Sequence, residues 1–268
     1  MMKIWWQRNA RTFWAYVATA LALIIIWQIV SLIMYQLFWG TDESHDYRFF
    51  TYLVPSPKTA ILSLLRDWEE ISIGFGASAV RMIVSVLLAI VIGTPIGLII
   101  GHEKTAERFL SPLLYITNPI PKVVLMPLLF VFFGVGNSPK IILITLLLVF
   151  PVMIAARDAA KNISKTYLLS VRSLHASRLQ IYRHVILPAC LPSILTTIRF
   201  SIGFAAVGLA ITEAWNAKTG LWAYILNASR SYAYSDVFAG IVAFAILGLI
   251  VYALIDLIER IVCRWNYV

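Results

Sequence analysis

Long apolar runs separated by short charged segments set the pattern of this chain. A helix needs about 20 apolar residues to cross a bilayer, because in lipid its backbone must hydrogen-bond internally. Six stretches qualify: 13–39, 79–101, 109–134, 138–156, 188–213 and 236–258. The second holds Arg81 near one end, and the fifth contains Arg199. The third is interrupted by Pro112, Pro119, Pro121, Pro127 and Lys122; the sixth begins at Asp236 and runs on towards Glu259 and Arg260. Two connecting segments carry a helical period instead. In 58–70, Ile61, Leu64, Leu65 and Trp68 share one face, which predicts an amphipathic helix lying at the interface and capping the spans. In 157–187, Leu168, Val171 and Leu174 form one stripe, and Leu179, Tyr182, Val185 and Ile186 form another. Ser177 followed by Gln180 fits a capping box between them. The segment therefore reads as two short helices with a break at His175–Ser177. Pro188 then opens the fifth span, where its missing N–H costs little.

Composition makes lipid the necessary solvent. The 268 residues are 60% hydrophobic and 13% charged, with a mean hydropathy of +0.83. Soluble domains carry about 25% charged residues, and a single core of this size cannot bury so much apolar side chain. A net charge of +9 invites a nucleic-acid reading. Here, however, Lys and Arg punctuate apolar runs rather than covering one wet face, so no nucleic-acid partner is expected. Thirteen of them fall in 1–12, 102–108, 157–187 and 259–268, against six in the opposite connections. That bias places both termini in the cytoplasm, as six spans also require. Residues 13–39 carry no charge and keep Trp27, Tyr35 and Trp39 with no small-residue cleavage pattern, so they read as a retained span. Cys190 and Cys263 are too few for a disulfide framework and read as packing residues. The expected fold is an all-α polytopic membrane protein. It divides into 1–78 (first span, outer loop and interfacial helix) and a core of 79–265.

The chemistry the chain lacks narrows its function. It has no Gly-x-x-x-x-Gly-Lys-Ser/Thr loop to cradle phosphates. His45, His102, His175 and His184 lie outside the spans or at their margins, so no intramembrane metal site is expected. Charges inside spans are the default functional candidates because each is costly in lipid. Lys122 either attracts an anionic substrate or pairs with a carboxylate. Arg199 either lines a pathway or snorkels to the cytoplasmic surface. Glu213 reads as a structural partner. Asn118, Thr196, Thr197 and Ser201 are further polar candidates for a pathway. Gly93 and Gly97 allow close helix approach, within one subunit or between two. The basic hairpin of 157–187 can lie on anionic headgroups, pack under its own bundle, or dock in a partner's groove. A secondary transporter or an intramembrane enzyme are the rival classes. The first usually shows paired broken helices, and only one Pro-rich span is evident here.

The hairpin also resembles the cytoplasmic signature of permeases of binding-protein-dependent ABC importers. That signature is Glu-Ala-Ala, three residues, Gly, nine residues, Ile, one residue, Leu-Pro. Counting back from Leu187-Pro188 puts Val185 at the Ile and His175 at the Gly. The Glu-Ala-Ala falls on Leu169-Ser170-Val171, which departs from it. Pro55-Ser56-Pro57, the Pro-rich stretch 119–140, Glu213, Gly220-Leu221, and Glu259-Arg260 to Arg264-Trp265 are similar to the nitrate, sulfonate, taurine and bicarbonate branch. The resemblance implies a type I importer permease in the bacterial plasma (inner) membrane, passing a small anionic organic or inorganic solute. It implies a second permease copy, two cytoplasmic ATPase subunits that bind the ATP and Mg, and an extracytoplasmic solute-binding protein. It assigns ATPase coupling to Leu168, Val171, Arg172, Leu174, His175, Ala176, Ser177, Arg178, Leu179 and Tyr182. His175 adopts a left-handed turn with more strain than Gly, so either the turn or the interface is expected to differ.

Overall fold

A computed structural model describes residues 2–39, 53–215 and 218–266. Arg48, one of the six basic residues of the opposite connections, lies outside these. The described residues form helices and connecting turns. Five helical segments are long and apolar enough to cross a membrane. They are α1 (Met2–Trp39, apolar over Val17–Leu37), α3 (Trp68–His102), α6 (Asn137–Lys161), the rod Arg178–Ala214, and α11 (Tyr234–Val262). The expected third span is instead a bent pair, α4 (Lys104–Thr117) and the run Lys122–Phe133, at 84° to each other. That run is a 3-10 turn followed by α5 (Met126–Phe133). Pro119 and Pro121 explain the bend: each removes a helical donor, and each pushes the preceding residue out of the α region.

By contacts the chain separates into two compact units rather than at 78/79, a point that lies inside α3. The first unit comprises residues up to Ser72 and Tyr224–Ala243. In it, α2 (Pro57–Arg66) is capped by Ser56, whose side chain accepts the Thr59 amide, and Pro57 occupies its first turn. The amphipathic helix expected over 58–70 stops at Arg66, and Trp68 leads α3 instead. Asp67 marks the junction. Its carboxylate takes two bonds from Arg66, at 2.8 and 2.9 Å, and one from the Tyr224 hydroxyl at 2.8 Å. Arg66 also bonds Asp236 at 2.5 Å. The Arg66 guanidinium, then Tyr224, holds the Asp67 carboxyl below the usual carboxylate range despite partial burial. Trp27 donates to the Pro55 carbonyl and stacks on Phe238, and Ser31 donates to the Val54 carbonyl, so α1 is tied into this unit by two polar contacts and a ring.

The second unit is Ile73–Ala223 with Phe244–Val268. Its frame is the packing of α3 on α6. Arg81 bonds Asn137, and Ser85 bonds the Ile141 carbonyl, both across an offset of 56 residues. Further along, Gly93 faces Val149 and Val152, Gly97 faces Met153 and Ala156, and Gly101 faces Arg157 and Ala160. The contact therefore advances in step along both helices, which makes them parallel. A parallel pair requires the chain between them to return to its starting side. The bent pair α4–α5 then counts as one crossing, which brings the candidate spans among the described residues to six. Cβ atoms built at Gly97 would overlap the Met153 carbonyl and the Ala156 Cβ. The small-residue stripe thus serves packing inside one subunit, where close backbone approach takes the place of a hydrophobic driving force. Cys190 and Cys263 are buried and unpaired by disulfide, as packing residues.

The last long segment differs from expectation. α8 (Arg178–Ile181) does not end before the fifth span; it passes through a π turn at Tyr182–Ile186 into α9 (Leu187–Ala214). Pro188 therefore lies within a continuous rod, not at a helix start. Its ring would clash with the carbonyl four residues back, and it has no N–H. The π turn shifts the ladder to i→i−5, seen where the Leu187 amide bonds the Tyr182 carbonyl, and relieves both problems. Substitution of Gly97 by Ala is expected to lower stability by about 1–3 kcal/mol through overpacking. Gly203→Ala, where nothing lies within 4 Å of the added carbon, should be near neutral. Thermal melting of both variants in detergent checks the contrast.

Candidate functional site

The hairpin of 157–187 forms as its periodicity predicts. α7 (Lys165–Ser173) ends in a turn, and α8 begins at Ser177. The Ser177 hydroxyl accepts the Gln180 amide at 3.3 Å, while the Gln180 side chain accepts the Ser177 amide at 2.8 Å. Both halves of the capping box are present, which is why α8 starts afresh here. His175 sits between the helices at φ 56. The left-handed turn is kept, with a non-glycine residue bearing a strain of about 1–2 kcal/mol.

The hairpin's side chains are unusually apolar for a cytoplasmic tip. Leu174 and Leu179 flank the turn and are 80% and 76% exposed. Leu169, at the position of the signature Glu, is 63% exposed. Leu168, Val171 and Ala176 are half-buried; Ser177 and Arg178 are exposed. Tyr182 is anchored: its hydroxyl donates to Glu103 at 3.4 Å, and its ring meets His102 edge-on. The Arg172 side chain lies outside the described residues.

The intramembrane charges resolve into three arrangements. Glu213 is wholly buried and accepts from Ser78 and from Arg81 Nη1, each at 2.6 Å, and from the Trp222 amide at 2.9 Å. Ser78 in turn accepts the Leu221 amide at 3.0 Å. Arg81 also reaches the Thr219 carbonyl and Asn137. The carboxylate therefore satisfies the first turn of α10 (Leu221–Arg230) while pairing with a cation from α3. Gly220, at φ 143, is required at the approach: a Cβ there would meet Glu213 Oε2 at 2.5 Å. Glu213 is the structural partner expected of it. Arg81 and α10 were missed in the sequence. A lone charge inside a span without a partner in reach was the available signal for the first, and Tyr224, Ile225 and Ala228 at helical spacing for the second.

Arg199 pairs with Asp256 and, at 3.5 Å, with Glu259, while Thr196 donates to Glu259 at 3.2 Å. Its charge is thus met by two carboxylates of α11. Asp256, also absent from the candidates, further bonds Arg260 at 2.8 Å. Lys122 behaves differently. Its amino group donates to the Thr117 and Asn118 carbonyls at the end of α4 and lies 4.3 Å from the Phe150 ring. It forms no salt bridge among the described residues; it caps carbonyls that the broken helix leaves open. Asn118 is exposed, Thr197 half-buried and Ser201 buried. Breaking the buried pair by Arg81→Met or Glu213→Gln should each cost about 3–5 kcal/mol. Joint replacement by Arg81→Met with Glu213→Gln should cost less than the sum of the two, as a double-mutant cycle of melting in detergent would read.

Residues 93–264 match the model of the family described as binding-protein-dependent transport system inner membrane component. The taurine transport system permease protein of Escherichia coli is 30% identical, covering 74% of this chain and 71% of its own. The formylaminopyrimidine transport permease protein of Halalkalibacterium halodurans is 28% identical, covering 92% and 93%. Among solved structures, a chain of the MetNI methionine ABC transporter in an inward-facing conformation aligns with TM-score 0.62 and 22% identity. It covers 78% of this chain and 99% of that one, a likeness of fold.

Proposed function

The chain belongs to the family of binding-protein-dependent transport inner membrane components, and on that premise we propose that the 157–187 hairpin is where its separate ATPase docks. As a multi-pass permease of an ABC importer it conducts solute and is no enzyme. ATP hydrolysis belongs to a partner subunit, and solute delivery to a binding protein. The observation that carries the docking reading is the pair Leu174 and Leu179, projecting on either side of a rigidly capped turn. Two large apolar side chains held in water are costly unless a partner covers them. With Leu169 replacing the signature acid, the docking face is more apolar than in relatives that keep it, and fewer of its contacts are screened by salt.

Two identical permease chains, two ATPases holding ATP and Mg, and a bacterial inner-membrane location complete the proposed assembly. The solute is small and anionic. Lys122 supports this, as a cation near a broken span with no carboxylate in contact among the described residues, whereas Arg199 is neutralised by Asp256 and Glu259. A relative named as an aliphatic sulfonates permease points the same way. Leu174→Asp should reduce co-purification of the ATPase subunit by about thirtyfold, the loss of a 2 kcal/mol interface anchor, with unchanged melting of the permease. Retained co-purification, or uptake that persists without any ATPase, would overturn the reading. Lys122→Gln should lower uptake of a sulfonate by about tenfold if the cation contributes 1.4 kcal/mol to attracting it; equal uptake would remove the anion preference.

A further inference from the structure

A pocket of about 500 Å3 lies beside the first helix of the hairpin. The end of α3, the start of α4 and the end of α6 wall it, and Leu168 and Leu169 of α7 close one side. Leu168 is half-buried, whereas Leu169 stands exposed at the rim. Lys104, Lys161 and Glu107 supply its charge. The single carboxylate is already engaged: its Oε1 accepts Lys161 at 2.6 Å and Arg157 at 3.0 Å. Lys104 is exposed and forms no salt bridge among the described residues. Lys161 is 52% exposed, and an ammonium has three donors, so its bond to Glu107 leaves capacity for another acceptor. α4 also opens at this wall without a side-chain cap from Glu103, which adds the positive end of a helix. Two lysines against one shared carboxylate make the pocket electropositive.

The cations call for a carboxylate or a phosphate, with which they form charge-assisted bonds. The rim decides which. A free anion would leave the exposed Leu169 uncovered, whereas an acidic side chain on a protein surface brings apolar neighbours with it. Leu174 directly follows α7, so the pocket borders the surface proposed for docking. We propose a contact that rests on ATPase docking at Leu174 and Leu179: an Asp or Glu side chain of the docked ATPase enters this pocket and is held between Lys104 and Lys161. Leu169 packs against the apolar residues beside that acid. The signature places an acid at position 169 of the permease; this chain has a leucine there and cations behind it. The sign of the contact is thereby reversed, with the acid supplied by the ATPase and the cations by the permease.

Carbodiimide treatment of the permease co-purified with its ATPase in detergent tests this, because the reagent joins only a carboxylate and an amine already in contact. Peptide mass spectrometry should find Lys104 or Lys161 linked to an Asp or Glu of the ATPase. Lys104→Glu should cut co-purification about tenfold at low salt, since like charges then face each other across the interface. That loss should shrink at high salt, with unchanged melting of the permease. Leu169→Glu should weaken co-purification more than Leu169→Gln: both lose the apolar contact, but only the first adds a repelling charge. No such link in an intact complex, unchanged co-purification in Lys104→Glu, or tighter association of Leu169→Glu overturns the proposal. So does shielding of Lys104 from amine labelling by phosphatidylglycerol but not by the ATPase, which would give the pocket to a lipid headgroup. Each of these leaves docking itself standing wherever Leu174→Asp still releases the ATPase; an ATPase retained by Leu174→Asp removes docking and this contact together.

Discussion

The parallel seam between α3 and α6 is the constraint from which the rest of the core follows. Three glycines spaced by four residues let the two backbones approach along their inner halves, while Arg81 and Ser85 bind α6 at its outer end. In lipid such helices gain nothing from hiding apolar side chains from one another, so contact must come from close approach and hydrogen bonds. Both are present at one constant offset. Because two parallel helices must be joined by a return, the proline-broken α4–α5 pair acquires a role: it carries the chain back across. Its awkward geometry is then tolerable, since the carbonyls it opens are met by Lys122.

Charge in the second unit is managed by local neutralisation. Glu213 joins Arg81 and the first amides of α10, and Arg199 joins Asp256 and Glu259. A buried ion pair of this kind adds little net stability over an apolar replacement, yet breaking one side leaves an uncompensated charge. Its consequence is geometric. Glu213 holds the start of α10 and the 218–220 turn to α3, so the outer end of the core is tied together by a single carboxylate.

The cytoplasmic hairpin and the fifth span form one mechanical piece. α8 enters α9 without a break, and the π turn absorbs Pro188 where a kink would otherwise form. The exposed Leu179 is thereby continuous with a spanning helix rather than joined to it by a loop. Tyr182, bonded to Glu103, fixes the same rod to the inner end of α3.

Much of this was legible in the residues alone. Hydropathy determined the six crossings, because the bilayer demands length and apolarity of each segment separately. The Ser177–Gln180 spacing determined where α8 begins, since capping is local chemistry. Pairings were not legible. Arg81 lies 132 residues from Glu213 and Arg199 lies 57 from Asp256 in sequence, and only the packed helices bring such groups within bonding distance. The glycine stripe could serve one subunit or two until its partner helix was known. Pro188 reads from its neighbours as a helix start, and only the π turn of the packed rod makes it an interior residue. Local pattern thus determined which segments are helical and where they lie; the tertiary structure decided what each buried polar group binds, because in lipid that question is settled by neighbours distant in sequence.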